Sequence, residues 1–148
     1  MRTLYSLVAL FLLTAHSHAT DMYMARSASS FPETMSKLQE TIKANNYTVS
    51  RVQRVDIGLT AMGYKTDKYR VVFYGKAKEN ARLTKQYPFL IPYLPLKIAI
   101  FAEGDETLMV ATNPMLLGSK AAPKLDPVLK RWEKDLTKII NEMRIAPD

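Results

Sequence analysis

"LDPVLKRWEKDLTKIINEM", Leu125 to Met143, is the stretch on which the fold turns. Leu125, Val128, Leu129, Trp132, Leu136, Ile139, Ile140 and Met143 recur at the three- and four-residue spacing of one helix face, and charged residues fill the other side. Asp126 reads as the cap and Pro127 as the first helical residue, where a missing N–H costs nothing. A long helix with so wide an apolar stripe needs a broad surface to cover it, so it must lie across a sheet.

The strands of that sheet stand upstream. "LKIAIFA" puts Leu96, Ile98 and Ile100 on one face, and "TLMVATN" follows after the turn Glu103-Gly104-Asp105-Glu106, which predicts a hairpin. "KYRVVFYGK", Lys68 to Lys76, is β-branched and aromatic and stops at a glycine, as a central strand does. In "YTVSRVQRVDIG" the valines 49, 52 and 55 fall at period three, which a strand reconciles by a bulge near Arg51. "DMYMARSAS" alternates Met22, Met24 and Arg26 against Tyr23 and Ala25, a first strand with one buried face. The methionine pair reads as core packing, because a copper site would want more thioethers or a neighbouring imidazole.

Helices punctuate this order. In "SFPETMSKLQETIKANN" Ser30 and Glu33 form a capping box, Pro32 sits in the first turn, and Phe31, Met35, Leu38 and Ile42 make a stripe. Asn45 and Asn46 suit its end. "LTAMGY" predicts one helical turn, and "AKENARLTKQ", Ala77 to Gln86, predicts a surface helix with little apolar face. Prolines 88, 92 and 95 forbid a regular helix in "YPFLIPYLP". The fold class is therefore α+β: a mostly antiparallel five-stranded sheet in the order β-α-β-β-β-β-α, with the long C-terminal helix packed on it. The face opposite the helices meets either water or a partner, and a homodimer through that face or an edge is open.

The N-terminus bears on chemistry. Arg2, the apolar run Leu4 to Ala15, and Ser17-His18-Ala19 have the layout of a secretory leader, which predicts residues 1–19 as a signal peptide and 20–148 as a single mature domain. The run is too short to span a bilayer comfortably, where roughly 20 residues are needed, so a cleaved leader is the reading and an uncleaved membrane anchor the alternative; no transmembrane segment is expected after leader removal. The chain has no cysteine and only two histidines, His16 and His18, both inside the leader. A mature chain without imidazole or thiol excludes ordinary zinc sites, c-type haem attachment, thiol redox work and Ser-His or Cys-His triads. No cofactor is implied, and with no disulfide the domain must fold on its apolar core.

The net charge is +7, or +6 once Arg2 leaves, which favours anionic partners; export argues against nucleic acid. Lys65 to Lys85 carries a local +5. It serves either as a solvated basic face or as an anion site built from Arg70 and Lys76 with tyrosines between them. "YPFLIPYLP" either caps the core or lines a pocket bordered by Phe89, Tyr93 and Trp132. The acidic hairpin turn lacks the oxygen ladder of a calcium loop. Asn46-Tyr47-Thr48 is a formal glycosylation sequon.

The helix start "SFPETMSKL", the "YGK" standing in place of a Gly-Asn-Pro-like turn, and "LPLKIAIF" leading to a hairpin that closes in "ATNP" together resemble the family known as domain of unknown function 302. The resemblance spans most of the mature chain. It implies a TATA-box-binding-protein-like α+β fold, dimers in some members, and no established reaction, so it assigns no catalytic residue. Residues and resemblance together lead to an exported binding module of the bacterial cell envelope. Its ligand is an anionic or amphipathic small molecule or an envelope protein, met by Arg70, Tyr74, Lys76, Phe89, Tyr93 and Lys97. The alternative is an enzyme working through Tyr or Lys acid–base chemistry, for example Tyr74 with Lys76, which requires pKa values lowered toward neutrality.

Overall fold

A computed structural model describes residues 21–118 and 122–144. The predicted leader, with its histidines and expected cleavage point, falls outside the described residues. Five strands, β1 (Met22–Ser27), β2 (Thr48–Arg54), β3 (Tyr69–Gly75), β4 (Leu96–Glu103) and β5 (Glu106–Thr112), form one sheet in the order β1-β5-β4-β3-β2, with every pair antiparallel. Helices α1 (Phe31–Ala44), α2 (Val55–Ala61), α3 (Ala77–Gln86) and α4 (Asp126–Met143) complete the chain. The five-stranded α+β architecture read from the sequence is the one observed.

α1 begins where its capping box places it: the Ser30 N–H donates to Glu33 Oε2 at 3.1 Å. It ends at Asn46, whose φ of 63° is the left-handed conformation that asparagine tolerates. α1 and α4 lie side by side over one sheet face, where Leu38 and Ile42 meet Val72, Ile98, Ile100 and Met109 together with Leu129, Trp132, Leu136, Ile139 and Ile140. Each such side chain, fully buried, stabilises the fold by about 1.5–3 kcal/mol. The bulge expected in β2 lies between Val49 and Arg51, and it restores Val49 and Val52 to the helix-covered side opposite Tyr74 and Val72. The hairpin joins β4 and β5 through Gly104, at φ 62°, and Asp105. Its acidic residues answer Arg26, whose Nε lies 2.9 Å from Glu103 and 3.6 Å from Glu106.

Three expectations change. Met22 and Met24 are exposed, at 51% and 42%, on the sheet face opposite the helices, whereas Ala25 and Ser27 turn inward. Strict alternation says which residues share a face but not which face is covered, and α4 packs over β1 on its small-residue side. Asp126 does not cap α4. A 3₁₀ turn, Pro123–Leu125, runs straight into the helix and leaves Leu125 in helical conformation (φ −82°, ψ −23°) at the capping position. The single turn expected after Gly58 is a seven-residue helix, α2, that starts at Val55. Val55 therefore belongs to that helix and not to the strand before it.

Opposite the helices, Met24, Val110, Ala99 and Val71 form one rung across the sheet, with Leu108, Phe101 and Tyr69 as the next. Among the described residues no helix covers this face. Likewise no described helix is long and apolar enough to cross a membrane.

Candidate functional site

A cavity of about 470 Å³ opens at one end of the sheet. Four segments build it: the end of β3 gives Tyr74, the start of β4 gives Leu96 and Lys97, the end of β5 gives Thr112, and α4 gives Leu136. Two irregular stretches form its lips, Pro92-Tyr93 on one side and the 3₁₀ turn Pro114–Leu117 on the other. That turn is held by Asn113, whose Oδ1 accepts from the Met115 N–H at 2.8 Å while its Nδ2 donates to Glu133 Oε1 at 3.1 Å. The volume lies within the roughly 300–1,000 Å³ range of small-molecule sites.

The walls are apolar: Pro92, Leu96, Pro114, Leu116, Leu117 and Leu136. Polarity is confined to a few places. Lys97 borders the cavity from the helix-free side of β4, exposed, with its Nζ 5.9 Å from the centre of the Phe73 ring and no carboxylate partner among the described residues. The Tyr74 ring stacks edge-on against Tyr47 at 5.4 Å, and Tyr47 Oη donates to Asp135 at 2.6 Å. Tyr74 is only 2% exposed, yet it lines the cavity and among the described residues no buried side-chain oxygen or nitrogen lacks a partner, so its hydroxyl opens on the cavity. The site thus offers an apolar interior, a phenol within it and a cation at its border.

The six residues read from the sequence as one surface divide. Tyr74, Tyr93 and Lys97 line the cavity. Arg70 lies four residues up β3, about 13 Å away at strand spacing. There its guanidinium is hydrogen-bonded to Asp56 of α2 and lies 5.7 Å from the Phe31 ring centre. Asp56 neutralises it, and Arg70 in turn holds the Asp56 carboxyl below its ordinary range. Lys76 does not reach the cavity lining; its Nζ sits 5.1 Å from the Tyr47 ring centre. Phe89 packs against Tyr87 at 6.0 Å and stands outside the lining, exposed. Trp132, expected at a pocket border, is buried and donates through Nε1 to Glu79 Oε2 at 3.2 Å, while Arg131 binds the other oxygen.

The lining residues not nominated for the site from the sequence are Pro92, Leu96, Thr112, Asn113, Pro114, Leu116, Leu117 and Leu136. The Asn113-Pro114 pair was the available signal, since it marks a turn at a strand end. Acid–base work by Tyr74 runs against its surroundings. Burial raises the pKa of Tyr74, and burial together with the Asp135 hydrogen bond raises that of Tyr47, whereas a base needs the reverse shift.

A search of the curated proteins returns no match. Among solved structures, the chain is similar to the crystal structure of an uncharacterized conserved protein DUF302 from Bacillus stearothermophilus. The TM-score is 0.75 at 23% identity, over 85% of this chain and all of the other, a likeness of fold. The family model "Domain of unknown function DUF302" matches residues 23–143, from β1 to the end of α4 and across every element that builds the cavity. The chain belongs to the DUF302 family.

Proposed function

We propose that this protein is a binding module whose cavity takes a small amphiphile with an apolar body and one anionic head. The carrying observation is the asymmetry of the site: six aliphatic or proline side chains line it, and an unneutralised Lys97 borders it. The apolar body displaces water from the interior, while Lys97 and the Tyr74 hydroxyl hydrogen-bond the head. Laurate, a single-chain carboxylate, is the test ligand. Calorimetric titration should give saturable binding that weakens about tenfold in Lys97→Ala. Binding should disappear in Leu117→Trp, which fills the interior. Equal affinity in all three proteins, or none in the wild type, removes the reading.

Export belongs to the same proposal. The leader pattern of residues 1–19 supports it, and an intact mass starting at Thr20 in material from the natural host tests it. A second reading, self-association, is favoured by the helix-free sheet face. Met22 and Met24 are exposed there beside Val110 and Leu108. A monomer at every concentration in sedimentation velocity, or a dimer indifferent to Val110→Glu, counts against it.

A further inference from the structure

We infer that the lips of the cavity dock on an anionic lipid surface, so that the mouth opens onto the bilayer. Four large apolar side chains crowd this end of the molecule: Phe89, Ile91, Tyr93 and Leu116, exposed by 43%, 60%, 48% and 50%. Tyr93 and Leu116 face each other across the cavity, and Phe89 and Ile91 extend the lip that carries Tyr93. Scattered exposed apolar residues need no explanation, but a group on proline-rich turns around an opening is a contact surface.

Charge selects the occupant. The helix leading into the lip, α3, exposes Lys78, Arg82 and Lys85 at i, i+4 and i+7, a single basic stripe. Its one acid, Glu79, is turned inward and held by Arg131 and Trp132. The two stretches that supply the lips, Asn80 to Ala102 and Thr107 to Leu125, contain no aspartate or glutamate. Of the carboxylates near the second lip, Glu133 accepts from Asn113 and from Tyr23, and Asp126 stands at its far end beside Gly118. A protein partner with an acidic patch would answer the stripe but not the row of protruding apolar side chains. A bilayer with anionic headgroups answers both, because lysine and arginine remain among the headgroups while tyrosine, phenylalanine and isoleucine enter the boundary below them.

The inference shares the cavity mouth with the function proposed above but does not depend on laurate binding, and two measurements separate them. In vesicle flotation, the wild-type chain should associate with vesicles of mixed phosphatidylglycerol and phosphatidylcholine, less so as ionic strength rises, and not with phosphatidylcholine alone. Replacing Lys78, Arg82 and Lys85 together by glutamine should lower partitioning by about a hundredfold, at roughly fivefold for each cation. Phe89→Ser with Ile91→Ser should lower it by roughly tenfold or more while the salt dependence stays. All five positions are exposed, so circular dichroism should be unchanged. Laurate affinity in free solution should be unchanged as well. Failure of wild-type vesicle association at low salt overturns the inference, as does equal association with phosphatidylcholine alone. So does a dimer that the Phe89 and Ile91 changes dissolve, since the lips would then be covered by a second copy.

Discussion

The two ends of the central strands treat a cation in opposite ways. At one end Arg70 is enclosed: Asp56 answers its charge, Phe31 covers its guanidinium, and the group tethers α2 to β3. At the other end Lys97 borders an apolar cavity with only the Phe73 ring beside it. Both residues belong to adjacent strands and carry the same charge. What separates structural from available charge is therefore the neighbouring chain, not the residue.

The sharpest way to break this contrast is to remove one partner at each end. Asp56→Ala leaves the largely buried Arg70 unanswered and should lower unfolding stability in urea at neutral pH by about 2 kcal/mol. Lys97→Ala should stay within about 0.5 kcal/mol of wild type. Equal losses would erase the distinction. Acid sharpens it further. The depressed pKa of Asp56 means that its contribution is fully present above the ordinary carboxylate value of about 4 and lost as pH falls through its lower folded value. Wild type and Asp56→Asn should accordingly converge in stability in strong acid.

Alkali probes the cavity end. Tyr74 has a folded pKa raised by burial, so its contribution is complete below about pH 10 and declines as pH rises beyond that. Wild type should lose stability relative to Tyr74→Phe by about 1.4 kcal/mol per pH unit above 10, read from urea midpoints at paired pH values. Parallel curves would place the hydroxyl in water. The smallest expected effect is on binding: Arg70→Ala combined with Lys76→Ala should leave laurate affinity within about twofold, because neither side chain lines the cavity.

What could be read in the sequence follows the range of each interaction. The start of α1 at Ser30, the bulge before Arg51 and the Gly104 hairpin are decided within a few residues, and all were legible. The α4 stripe was legible because a helix repeats its demand at every turn. Which face of β1 turns inward was not, since the answer lies in the packing of a helix a hundred residues later. The start of α4 was misread at Asp126 because the preceding turn was invisible in composition. Tyr93 and Lys97 could be nominated one by one, but the cavity joins segments around residues 74, 93, 96, 112–117 and 136, a convergence no local pattern encodes. Arg70 was nominated on charge alone, and its carboxylate lies 14 residues back, in a helix the sequence showed only in part.

α1 carries the chain from β1 at one edge of the sheet to β2 at the other, and among the described residues β1 pairs with β5 alone, some eighty residues on. A nascent chain released short of Thr112 has an orphan N-terminal strand whose backbone groups lack a ladder, and the long loop between β1 and β5 adds an entropic cost to their pairing.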